Sequence, residues 1–167
     1  MVHELLYADI NFFVAAVKFA KEGYTVVAMN RTAESFEAVD RRLKEVGAKY
    51  SFQAMDATDP DSVKGAFAQV HAELGRVDVL VYNTGGGGFG IPILEIKPEA
   101  FLQSFQASCV GALLCTQAVL PAMLASKGTG PREHGAKTRG TILYTSATSG
   151  FRGARCEMIF SLLHSVE

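Results

Sequence analysis

The stretch Val77 to Gly88, VDVLVYNTGGGG, constrains the fold of this 167-residue chain more than any other. Val77 to Val81 are rich in Val and Leu, as in a strand covered on both faces. The strand runs into Asn83 and Thr84 and then four consecutive glycines, Gly85 to Gly88. Such a run cannot be regular structure; it turns sharply and lets a flat or anionic ligand come close to the backbone. Open α/β sheets hold their ligands where a buried strand delivers such a loop at its carboxyl end.

The rest of the chain alternates around this strand. Residues 1–11 show no clear period, and residues 12–22 read as a mostly buried helix ending at Gly23. A short apolar strand, Thr25 to Met29, stops at Asn30 and Arg31. A helix then follows with Thr32 as its expected N-cap, Phe36, Val39, Leu43 and Val46 at helical spacing, and Gly47 as its end. Tyr50 to Met55 reads as a third strand. Asp59-Pro60 gives an N-cap with proline at the first helical position, and Val63, Phe67, Val70 and Leu74 mark one face before Gly75. After the opening strand, a long and broadly apolar helix is expected from Pro98 to about Ala125. Residues 126–139 form a polar, basic loop, and Thr141 to Thr145 read as the last strand. Repeated strand–helix alternation predicts an α/β fold: a doubly wound parallel sheet with helices on both faces, three layers deep.

Length and composition allow one domain with a real core over residues 1–167. The net charge of −1 lacks the positive excess of a nucleic-acid-binding domain. The three cysteines, Cys109, Cys115 and Cys156, are scattered without a CxxC, so a reducing compartment fits better than a disulfide framework or a zinc site. Glu4 and Asp9 precede any basic segment, which argues against a signal peptide. No apolar run is expected to approach the roughly 20 residues that span a bilayer. A cytoplasmic protein with no membrane partner is the expectation. His71 and His134 are expected on the surface.

From about residue 14 to residue 153 the sequence resembles the short-chain dehydrogenase/reductase family. FAKEGYTVVAMNR is similar to its first helix, second strand and cofactor-sensing turn, and MDATDPDSV to its Asp-Val-Thr-Asp segment. VDVLVYNTGG matches its Asn-Asn-Ala-Gly motif, with Tyr82 and Thr84 at the first and third places. QAVLPAM and GTILYTSATSG match the next helix and strand. The resemblance implies a Rossmann-like dinucleotide site formed by Arg31, Asp56, Ala57, Asn83 and Gly85. Asp56 would accept hydrogen bonds from an adenine edge, or else serve as a turn or cap aspartate. Asn83 would brace neighbouring strands and the cofactor, and Gly85 would let backbone pass against the ribose; a purely structural turn is the alternative. Arg31 stands where an acidic residue would bind the ribose 2′-hydroxyl and suits a 2′-phosphate instead, favouring NADP over NAD. It could equally be an exposed arginine beside the next helix.

The departures are as informative. The phosphate-binding glycines of the family should fall at positions 6, 10 and 12, where Leu6, Ile10 and Phe12 stand. Too few residues precede them for a full strand, so the central first strand is expected to be missing, leaving an incomplete sheet with two exposed edges. At the catalytic end, Ala147 aligns with the substrate-orienting serine, flanked by Ser146 and Thr148, so Ser146 is the candidate. Phe160 and His164 fall at the places of the catalytic Tyr-x-x-x-Lys, and phenylalanine has no proton to transfer. Ser108 aligns with the asparagine of the long helix. The ends, 1–13 and 155–167, diverge, as in a truncated version of a longer enzyme. The expectation is an NAD(P)-binding oxidoreductase domain for a carbonyl or alcohol substrate, weakly active or inactive as this chain. The alternative is a non-catalytic Rossmann-type module that self-associates through the helix at 98–125.

Overall fold

Two sets of strand residues, pointing to opposite faces of one sheet, organise the molecule. In the computed structural model, residues 3–7, 12–32, 36–84, 91–125 and 139–145 are described. Among the described residues, five parallel strands form the sheet: β1 (His3–Tyr7), β2 (Thr25–Asn30), β3 (Lys49–Ala54), β4 (Val79–Tyr82) and β5 (Thr141–Tyr144). Their order is β3-β2-β1-β4-β5.

The presence of β1 overturns the expectation of a missing central strand. Its residues pair with β2 from His3↔Thr25 to Tyr7↔Met29 and with β4 from Glu4↔Val79 to Tyr7↔Tyr82. Five residues suffice because both edges of the strand are laddered to longer-range partners. The segment escapes a sequence search because His3 and Glu4 interrupt it, leaving neither a continuous apolar run nor an alternation long enough to read.

The helices are α1 (Phe12–Lys21), α2 (Glu37–Glu45), α3 (Pro60–Leu74), α4 (Pro98–Phe105) and α5 (Gly111–Ala125). On one face, Ala16 of α1 and Val39 and Leu43 of α2 pack with Val26, Ala28, Val79 and Val81. On the other, Val63, Phe67 and Val70 of α3 and Cys115, Val119 and Met123 of α5 pack with Val27, Met29, Leu80 and Tyr82. Alternate residues of β2 and β4 thus serve opposite layers, as the pleat requires. The expected α/β/α layering is what the chain adopts.

Helix α3 starts as its sequence dictates, with the Asp59 carboxylate accepting the Asp61 N–H at 3.0 Å and Pro60 at the first helical position. Helix α2 does not. It begins at Glu37 behind Phe36, with no side-chain cap, rather than directly after Thr32. Phe36 is buried and stacks on Phe52 with ring centroids 4.5 Å apart.

The long helix is continuous from Pro98 to Ala125 but opens into a wide π-type turn at Gln106–Val110 between α4 and α5. By length and composition it could cross a membrane, which corrects the expectation that no apolar run comes near that length. Its buried stripe, Gly111, Cys115, Val119 and Met123, follows a four-residue repeat and packs toward α3 and the sheet.

Candidate functional site

The strand order reverses direction between β1 and β4, and the carboxyl ends on either side of that point carry most of the predicted residues. At the end of β2, the Asn30 side-chain oxygen accepts the Arg31 N–H at 2.7 Å, and Arg31 is exposed. The Asn30 carbonyl accepts the Met55 N–H at 2.9 Å, which draws the chain after β3 alongside.

Asp56 follows directly. Its Oδ1 accepts both the Thr58 hydroxyl at 2.7 Å and the Thr58 N–H at 2.9 Å, while its own N–H donates to Ser62 Oγ at 2.9 Å. The Thr58 hydroxyl and N–H hold the carboxyl below the usual carboxylate range, with a smaller contribution from the Arg31 guanidinium. Asp56 is therefore a turn aspartate through Oδ1, with Arg31 close enough to be felt. Ala57 is buried, and its side chain and carbonyl face Gly111 of α5 rather than open solvent.

At the end of β4, Asn83 is 8% exposed and its Oδ1 accepts the Thr145 hydroxyl at 2.6 Å. The Thr145 N–H donates to the Tyr82 carbonyl at 3.1 Å, which extends the β4–β5 ladder by one bond. Tyr82 and Thr84, on either side of Asn83, both donate their hydroxyls to the Ala107 carbonyl in the wide turn, Thr84 at 3.4 Å. The structure thus brings Arg31 and Asp56 together on one side of the switch point and places Asn83 on the other. Gly85 and Ser146 lie outside the described residues, as do Ala147, Phe160, His164 and Ile10. Leu6 lies in β1 and Phe12 opens α1.

Three participants were given no role at the site by the sequence: Tyr82, Thr145 and Gly111. Gly111 carried a signal, since glycine inside an apolar helix costs about 1 kcal/mol relative to alanine and marks a close approach. His71 is half-buried rather than fully exposed, and His134 lies outside the described residues. The His71 ring lines an open groove of about 430 Å³ between α3 and α5, with Nδ1 at 2.9 Å from the Gly75 carbonyl and Nε2 at 3.3 Å from that of Ala118.

The profile of the family described as short chain dehydrogenase matches residues 13–161, extending past Gly153, where the motifs stop. Over 138 residues the chain is 30% identical to a 3beta-hydroxysteroid dehydrogenase of Mediterraneibacter gnavus, covering 83% of this chain and 46% of that protein. Among solved structures, it is similar to a metagenomic short-chain oxidoreductase in complex with NADP, at 25% identity and a TM-score of 0.84, covering 98% of this chain and 70% of the other. The fold is also that of an NAD+-bound xylitol dehydrogenase, at 19% identity and a TM-score of 0.86, covering 98% of this chain and 60% of the other. The chain spans about half the length of the curated relatives it matches.

Proposed function

The chain belongs to the short-chain dehydrogenase family, and from that premise we propose that its sheet edge is a dinucleotide site of an oxidoreductase acting on a carbonyl or alcohol. The observation that carries this reading is the row of polar strand ends at the switch point, Asn30–Arg31, Asp56 and Asn83, each held by its own hydrogen bonds. Arg31 would take a ribose 2′-phosphate and favour NADP over NAD. Asp56, through the oxygen not engaged by Thr58, would receive the adenine edge, with the Ala57 backbone beside it. Asn83 and Gly85 would border the ribose and nicotinamide, and Ser146 would orient substrate. The bound nicotinamide would supply hydride transfer. The residues described fit the adenosine half of such a cofactor. The sequence fits its pyrophosphate poorly, because Leu6, Ile10 and Phe12 stand where the phosphate-binding glycines would fall.

With Phe160 and His164 at the places of the proton-transferring tyrosine and its lysine, we propose weak or no turnover by this chain. Single-domain organisation over residues 1–167, a cytoplasmic location and small-molecule rather than nucleic-acid or membrane partners belong to the same proposal. The test is a titration of NADPH and NADH followed by thermal unfolding. NADPH should raise the midpoint more than NADH does. A flat response to both would remove the nucleotide site, and reproducible NADPH-dependent carbonyl reduction would remove the claim of lost turnover.

One observation favours a second reading, a non-catalytic module that associates with a copy of itself. Leu102, Leu113, Leu120 and Leu124 stand exposed along α4 and α5, at 38–59% of their full area. Light scattering separates the two: a stable homo-oligomer without nucleotide response supports the module, and a monomer rejects it.

A further inference from the structure

Tyr82 occupies an unusual position for a strand tyrosine. It is 3% exposed, in the core between β4 and α5, and its hydroxyl reaches past the sheet to donate to the Ala107 carbonyl. Ala107 lies in the wide turn Gln106–Val110, and a wide turn leaves a carbonyl off the regular helical ladder for a side-chain donor to take. Gly111 makes the approach feasible. A Cβ there would overlap the Tyr82 hydroxyl and come within 3.0 Å of Ala57 Cβ and 3.1 Å of the Ala57 carbonyl. Three elements therefore meet at one point: the chain after β3 at Ala57, the end of β4 at Tyr82, and the junction of the wide turn with α5 at Gly111.

We propose that Tyr82 is a positioning residue for the nucleotide edge, its hydroxyl pinning the wide turn to the strand end that carries Asn83. This rests on the dinucleotide-site reading above. Tyr82 and Thr84 flank Asn83 and share one acceptor, the Ala107 carbonyl, while Thr145 holds the Asn83 amide from the neighbouring strand. Asn83 is thus fixed from two sides, through its neighbours Tyr82 and Thr84 and through its own amide. Ala57, at the expected adenine side, is pressed against the same helix through Gly111. The clasp therefore sets the spacing between the two halves of the edge.

The test compares the wild-type chain with Tyr82→Phe, which keeps the ring and removes only the donor, and with Thr84→Val, which removes the second donor from a less buried site. Hydrogen exchange is measured without ligand, NADPH affinity by the fluorescence of the bound nicotinamide, and folding by the thermal midpoint. In Tyr82→Phe, amides of residues 106–111 and 83–84 should exchange faster than in wild type, while those of α2 and β3 stay unchanged. NADPH should bind about tenfold more weakly, the loss of roughly one hydrogen bond's net contribution. Thr84→Val should move both readouts in the same direction by less, and it decides the matter if Tyr82→Phe does not fold. Unchanged exchange at the wide turn overturns the clasp. Faster exchange with unchanged NADPH affinity overturns its positioning role. A wild-type chain that binds neither nucleotide overturns the functional reading and the positioning role with it, whereas the exchange measurement still decides the clasp.

Discussion

Thr145 donates its hydroxyl to the side-chain oxygen of Asn83 at 2.6 Å, joining the ends of β4 and β5 one residue beyond their last paired strand residues. The bond fixes which way the amide faces, because its oxygen is engaged and its nitrogen remains the group that can donate. Thr145→Val should therefore free the amide to rotate without opening a cavity. Stability should fall by about 1 kcal/mol and NADPH affinity by up to about tenfold. Chemical denaturation and a fluorescence titration check the two, and an unchanged affinity would show that Asn83 needs no such bracing.

Arg31 is exposed and its guanidinium lies near enough to lower Asp56. If it receives a 2′-phosphate, Arg31→Ala should weaken NADPH binding by about tenfold or more and leave NADH binding where it was, since a charge-assisted contact is lost from one ligand only. Equal losses for both nucleotides would assign Arg31 a general electrostatic role instead.

The Asp56 turn carries a pH dependence of known sign. Its carboxyl is held low in the folded chain, chiefly by the Thr58 hydroxyl and N–H. The folded state therefore binds that proton less readily than the unfolded chain, so this stabilisation is present at neutral pH. It is lost as pH falls below the ordinary carboxylate range toward the lowered folded value. Asp56→Ala should be less stable than wild type at pH 7, and the gap between their thermal midpoints should narrow below about pH 4. A gap that stays constant into acid would mean that Thr58 gains nothing from the charge.

Burial pushes the Cys115 thiol up to about 12, in a core position with no exposed surface. The half-buried Cys109 is raised too, by the same cause. Because thiolate is the reacting form, Cys115 should resist alkylation at pH 8 until the chain unfolds, with Cys109 reacting first. Peptide mapping after timed iodoacetamide exposure reads this directly, and rapid labelling of Cys115 in the folded chain would show that α5 detaches from the sheet.

Residues close together in the chain wrote much of this structure legibly. Asp59-Pro60 announced α3 and Gly75 its end; VLVY announced a doubly covered strand; the strand–helix alternation announced the layers. Arg31, Asp56 and Asn83 could be named because each follows a strand end, and strand ends converge in any such sheet. Only the folded chain decided the rest. HELLY became the central strand because β2 and β4, 20 and more residues away, each offer it a ladder. Phe36, directly before α2, stacks on Phe52 of β3. His71 was brought within reach of the carbonyls of Gly75 and Ala118, and the helix at 98–125 opened at a wide turn just before Gly111, where Tyr82 and Ala57 meet it. Caps and hydrophobic periods act over a few residues and can be read along the chain. Ladder pairing, ring stacking and close backbone approach join residues far apart in it, and their energies exist only once the tertiary structure has brought them together.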